Sequence, residues 1–298
     1  SGSASLALSA SWAPDLWGRI GDAVSAQAAS AQASEADLAG ARLDAQASLA
    51  QAYFALRETD AELALLDDII GGYERSARIT QNRYDVGVVP RTDTFQAQST
   101  LRNAQASRVA LQRTRAGYEH AIALLVGEAP ADFAIAPARW AGAVPAVPAE
   151  VPSLLLLRRP DVASAERAVS AANLQIGVAR SAYFPSLSLS ASLGASGSHL
   201  GDVLSAPSLV WSLGVALAQT VFDGGARDAK VDQALAARDA AVARYRQAAL
   251  TAMKEVEDQL SALDTLAAQT EHARAAAELA ERIEQQMLNR YQTGLTSY

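Results

Sequence analysis

Two hydrophobic periods divide the chain. Between Ser3 and Trp12 apolar residues fall on alternate positions: Ala4, Leu6, Leu8, Ala10 and Trp12 interleave with Ser3, Ser5, Ala7, Ser9 and Ser11. A period of two predicts a strand with one apolar and one small polar face, and Pro14 ends it. The pattern returns after Pro185 as SLSLSASLG, 186–194, with Leu187, Leu189, Ala191 and Leu193 set against serines. It returns again as LVWSLGVALAQ, 209–219, where Leu209, Trp211, Leu213, Val215 and Leu217 share a face. Residues 195–208 read as the loop between the two.

From about Asp15 to Arg83 the spacing becomes seven. One series runs through Ala45, Ala52, Thr59, Leu66 and Tyr73, and a second through Leu49, Leu56, Leu63, Ile70 and Ala77. Two such series, staggered by four and three, form a heptad seam, and a sustained seam wraps helices left-handed around neighbours. At ~1.5 Å per residue this helix is about 100 Å long. Gly71-Gly72 interrupts it and predicts a local kink. The turn DVGVVPRTD, 85–93, leads into a second helix from about Thr94 to Val126, which gives an antiparallel hairpin. Residues 127–153, rich in Pro, Ala and Gly, read as an irregular connector. A shorter helix spans 158–184, begun by Pro160-Asp161, where proline suits a first turn and an early acid suits the helix dipole. A last long helix carries Val242, Ala249, Val256, Leu263 and Thr270 at the same spacing.

The halves repeat. NRYDVG at 82–87 recurs as NRYQTG at 289–294, and Gly18 of DLWGRI matches Gly225 of VFDGGAR, both pairs 207 residues apart. Each copy runs 69 residues from glycine to glycine, the signature of an internal duplication. The second copy has a strand pair before its long helix and the first has one strand, so a fourth strand is expected upstream of Ser1. The chain reads as a fragment of a longer protein.

Composition narrows the class. Half of the 298 residues are apolar, but only 6% are aromatic, and the abundant alanine fits closely packed long helices. A net charge of −7 with no basic block argues against nucleic acid. With no cysteine there is no disulfide or thiolate metal site, a composition that fits a periplasm and also many cytosolic proteins. No signal peptide is visible, and no apolar run reaches the ~18–20 residues of a spanning helix; the longest, LLLL at 154–157, stops at Arg158. Strands of ~9–11 residues with apolar and small polar faces suit a membrane barrel as well as a half-buried soluble sheet. Trp12 and Trp211 lie on the apolar faces, where an aromatic belt would sit.

The stretch Leu157-Arg158-Arg159-Pro160-Asp161-Val162, with Ala165, Glu166, Ala171, Ala172, Asn173, Ile176, Gly177, Ala179, Arg180, Ala182, Phe184, Pro185, Leu187 and Leu189, resembles the outer-membrane factors, the TolC-like channels of Gram-negative bacteria. WAPDLWGRI, RYDVG and LLVGEAP resemble the branch that works with resistance-nodulation-division pumps, and the likeness covers essentially the whole chain. It implies a mainly α fold with transmembrane β-strands: a homotrimer with a shared twelve-stranded outer-membrane barrel and a helical barrel through the periplasm. The expected parts are strands at 1–14 and 184–221, a first-repeat hairpin at 15–127, an equatorial connector at 128–158, and second-repeat helices at 159–183 and 222–298. The implied partners are a periplasmic adaptor, an inner-membrane efflux pump and outer-membrane lipid. Branch members are often lipid-anchored through an N-terminal cysteine, which would lie upstream here.

The resemblance places both NRY-x-x-G copies at periplasmic tips. Thr92, Asp93 and Tyr291 match gate positions, and Tyr84 is the equivalent tyrosine of the first copy. The gate arginine of the family prototype falls on Thr296, and its constricting aspartates fall beyond Tyr298. A plain reading stands beside the gate: Gly87 and Gly294 end helices, Arg83 and Arg290 suit helix C-termini, and the tyrosines pack at the turn. Arg158, Arg159, Pro160 and Asp161 read as helix-start structure. No enzyme is expected. His120, His199 and His272 have no companion ligands at metal spacing, Asp67-Asp68 faces two ways on a helix surface, and no cofactor loop appears. The competing reading is a non-channel coiled-coil adaptor or structural spacer in the periplasm, which leaves the serine-alternating strands unexplained.

Overall fold

A computed structural model of the chain describes residues 4–138, 158–197 and 209–292. Residues 139–157 of the expected 128–158 connector, most of the loop before the third strand, and Gly294 lie outside the described residues. The elements in order are β1 (Ala4–Trp12), α1 (Arg19–Asp85), α2 (Arg91–Val126), α3 (Pro160–Ser181), β2 (Ser186–Gly197), β3 (Leu209–Ala218) and α4 (Ala226–Gln292). They fall into two units, one of Ser1–Leu38 with Ala149–Tyr298 and one of Ala39–Pro148. The boundary cuts the expected 15–127 hairpin, because the first twenty residues of α1 belong with the strands and with α3 and α4.

In the first unit the strands form one antiparallel sheet in the order β1-β2-β3. The register lines up the apolar positions, with Leu8 opposite Leu193 and Trp12 opposite Leu189 across β1 and β2. Leu193 then faces Trp211, and Leu187 faces Leu217, across β2 and β3. One face is therefore apolar from edge to edge. The other carries serines, alanines and glycines with Val210 at the start of β3, and the Ser192 and Ser212 hydroxyls are 2.8 Å apart. Strand β2 runs to Gly197, three residues past the expected 194, because Ala195, Ser196 and Gly197 pair with Leu6, Ser5 and Ala4.

Helix α3 lies antiparallel on α4 and is fastened near both ends: Arg159 donates to Glu255 at 2.7 Å, and the Tyr183 hydroxyl bonds the Asp228 carboxylate. Past this span the α4 seam opens. Val242, Ala249 and Val256 are half-buried, whereas Leu263 and Thr270 are exposed. Both long helices start one residue after a glycine of positive φ, Gly18 at 73° and Gly225 at 90°. Helix α1 starts at Arg19 rather than Asp15 because Asp15 is spent as a cap: its carboxylate accepts from the Ile20 and Gly21 N–H groups at 3.0 and 2.7 Å. Those two bonds hold its carboxyl below the ordinary range. Asp223 serves α4 in the same way through Gly225 and Arg227. Helix α3 stops at Ser181, three residues short of the expected end, since Pro185 disfavours a helical residue before it.

In the second unit, α1 from Ala39 onward pairs with α2. The heptad series predicts the buried side: Leu56, Thr59 and Ile70 are buried, and Ala52, Leu63, Leu66, Tyr73 and Ala77 half-buried. Ala45 departs from it and is exposed. Gly71-Gly72 does not interrupt the helix, which runs unbroken from Arg19 to Asp85; each glycine costs about 1 kcal/mol against alanine, too little to break a helix held on both sides. Two ion pairs fix the antiparallel register. Arg108 meets Asp67 at 2.5 Å and Arg115 meets Asp60 at 2.6 Å, one heptad apart on both helices. Helix α2 begins at Arg91, three residues before the expected Thr94, with extended Pro90 as its N-cap.

Candidate functional site

The turn between α1 and α2 is a Schellman cap. Gly87 stands at φ 78°, its N–H donates to Tyr84 O at 2.9 Å, and Val88 N–H donates to Arg83 O at 2.8 Å. A Cβ at Gly87 would meet nothing within 4 Å, so backbone conformation alone selects glycine here. Thr92 and Asp93 sit in the first turn of α2, where Asp93 N–H donates to Pro90 O at 3.1 Å and the acid faces the positive end of the helix. Thr92 Oγ1 and Asp93 Oδ1 are 3.4 Å apart. Tyr84 is half-buried, whereas Val86 and Val88 are exposed. Behind the turn lie Thr80 and Thr94, buried with their hydroxyls bonded to the Ser76 and Arg91 carbonyls. Tyr291 lies in the last turn of α4.

Trp12 and Trp211 occupy the apolar sheet face and are exposed, four register positions apart along the strands. Below the sheet, Trp17 stacks on Phe184 with centroids 4.7 Å apart and donates its Nε1–H to Pro185 O at 2.7 Å. This joins the α1 start to the β2 start. Of the family-signature residues, Pro160 is the first residue of α3 and Arg159 its N-cap. Arg159 does more than start a helix: it pairs with Asp161 at 2.8 Å as well as with Glu255. Asp161, then Glu255, push its already high pKa further up. Arg158 is exposed at the same end.

One charged cluster went unforeseen. In the second unit Asp60, with 3% of its side chain exposed, pairs with Arg115 at 2.6 Å and Arg57 at 2.9 Å. Arg115 also reaches Glu119 at 3.3 Å, and Arg57 lies over the Tyr53 ring. Burial pushes the Asp60 carboxyl up, but Arg115, the Ala138 N–H and Arg57 outweigh it and hold it below the ordinary range. The signal was present in sequence as an acid directly beside the heptad position Thr59, with arginine three residues earlier.

Residues 1–128 and 151–298 match the profile of a family described as outer membrane efflux protein. The chain is 31% identical over 296 residues to a probable efflux pump outer membrane protein, TtgC, of Pseudomonas putida, covering 99% of this chain and 61% of that protein. It is 31% identical over 286 residues to the outer membrane protein OprJ of Pseudomonas aeruginosa, covering 95% of this chain and 60% of OprJ. Among solved structures, the outer-membrane channel OprN superposes with a TM-score of 0.91 at 28% identity, covering 99% of this chain and 73% of OprN. The chain thus spans about three fifths of the length of these two sequence relatives.

Proposed function

Because the chain belongs to the outer membrane efflux protein family, we propose that it is one subunit of a homotrimeric channel that carries small solutes across the outer membrane of a Gram-negative cell. The observation that carries this reading is the sheet. Its apolar face is exposed along β1 and β3, with Leu8, Trp12, Trp211, Leu213 and Val215 all bare. A three-stranded sheet left in water with such a face and two open edges is an aggregation template. Lipid on the apolar face, a wet lumen on the serine face and edges closed by further strands resolve all three liabilities. Three copies of four strands give twelve, an even count of the kind bacterial barrels use.

The long helices then form the periplasmic part of the duct. The two NRY-x-x-G segments are the tips of a duplicated unit, and the connector forms an equatorial belt. Thr92, Asp93 and Tyr84 at one tip and Tyr291 at the other line the constriction, and Trp12 and Trp211 sit at different depths of the bilayer. A periplasmic adaptor docks on the helical tips, and an inner-membrane pump supplies the energy. The duct itself is passive and needs no cofactor. A periplasmic spacer has no use for a lipid-matched sheet, so the coiled-coil alternative falls behind. Native mass spectrometry of the full-length protein in detergent tests the assembly: a trimer is expected, and a monomer at every protein concentration contradicts it.

A further inference from the structure

Residues 133–138 follow α2 as an irregular segment against the second-unit hairpin, and they are held in an unusual way. Arg115 Nη2 donates to Ile135 O at 2.7 Å, and Glu119 Oε1 accepts the Ile135 N–H at 2.5 Å. Arg57 Nη1 donates to Ala136 O at 2.9 Å, and Asp60 Oδ2 accepts the Ala138 N–H at 3.2 Å. An Arg/Glu pair on α2 thus satisfies both main-chain groups of one residue, as a neighbouring strand would. The Arg/Asp pair on α1 takes the Ala136 carbonyl and, past Pro137, which has no N–H to offer, the Ala138 N–H. Every bond goes to a main-chain atom. The segment's own side chains contribute little, since Ala134, Ala136, Pro137 and Ala138 are exposed and only Phe133 and Ile135 are half-buried.

We infer that Arg57, Asp60, Arg115 and Glu119 form a backbone lock, which fixes the first part of the connector to the hairpin whatever side chains that part carries. The four lock residues are charged and satisfy one another, so each bond to the strap is charge-assisted and stronger than a neutral one. Asp60 and Arg115 hold the centre of the set: losing Asp60 takes the carboxylate from Arg57, and losing Arg115 takes the guanidinium from Glu119. The strap, by contrast, tolerates exchange of its exposed side chains. The lock holds the connector as far as Ala138. The lock has no copy in α4, where the positions 207 residues on from Arg57 and Asp60 are Asp264 and Ala267. It is a device of the first hairpin alone and does not depend on the channel reading.

Residue-resolved hydrogen exchange on the full-length protein in detergent at neutral pH tests the lock. The Ile135 and Ala138 amides are expected to exchange about tenfold or more slower than that of Ala136, whose N–H donates to no acceptor among the described residues. Glu119→Ala should bring Ile135 to the rate of Ala136 while α1 and α2 stay protected, and Asp60→Ala, which removes the acceptor of the Ala138 N–H, should free Ala138. The triple exchange Ala134→Ser, Ala136→Ser, Ala138→Ser should leave Ile135 as slow as before. An Ile135 amide as fast as that of Ala136 in the unaltered protein overturns the lock. So does one unmoved by Glu119→Ala, or a strap released by the three serines.

Discussion

At Asp60 one buried carboxylate joins two helices and a strap. The charged groups that face it are Arg57 on its own helix and Arg115, with Glu119 behind, on α2; the strap offers only main-chain groups. Replacing Asp60 by alanine leaves Arg57 without its carboxylate and Arg115 with Glu119 alone, and about 3 kcal/mol of hairpin stability should be lost, read as a lower urea midpoint by far-UV circular dichroism. Its pH dependence follows from the sign of the shift. The folded carboxyl lies below its unfolded value, so its contribution is complete above the unfolded value and disappears as pH falls through the folded one. Hairpin stability should therefore hold from neutral pH into the ordinary carboxylate range and fall below it, and Asp60→Asn should flatten that acid limb. Glycines give a paired test. Gly87→Ala should cost about 1 kcal/mol, because φ is 78°. Gly117→Ala, inside α2 with open space around a Cβ, should gain about 0.5–1 kcal/mol; thermal melts separate the two signs. Gly87 was legible as a cap because its flanking residues form a turn. Asp60 left only a local hint, the arginine three residues before it, because its other partner Arg115 lies 55 residues away.

Elements were legible to the extent that their partners lie in the same chain. The heptad series picks out the buried positions Leu56, Thr59 and Ile70 because α2 covers them, and it loses its power beyond Val256 because α3 has ended. The strands were legible from alternation alone, although among the described residues nothing covers either face. Helix ends were the weakest point, with errors of three or four residues wherever a side chain such as Asp15 caps the backbone or a proline such as Pro185 acts ahead of itself. At this scale the lipid-facing assignment is open to direct attack. Leu213→Arg on the apolar face should destabilise the inserted protein by about 2–4 kcal/mol. Ser188→Lys on the opposite face should be tolerated, and the fraction folded into vesicles after dilution from urea compares them. Equal tolerance on both faces would remove the assignment.

For the molecule as a whole, the NRY-x-x-G phrase and the glycines Gly18 and Gly225 recur 207 residues apart in the sequence, and the long helices start one residue after those glycines. Assembly is less legible, since a sheet with open edges and helices with bare seams state only that something must cover them. In the proposed channel, what covers them creates a water-filled duct narrowed at its helical tips. Single-channel conductance of the full-length protein in a planar bilayer tests this most directly. Small, stable current steps are predicted, growing when Asp93 is changed to alanine. A folded preparation that inserts and carries no current at any voltage would contradict the duct, and steps indifferent to Asp93→Ala would take the constriction away from that tip.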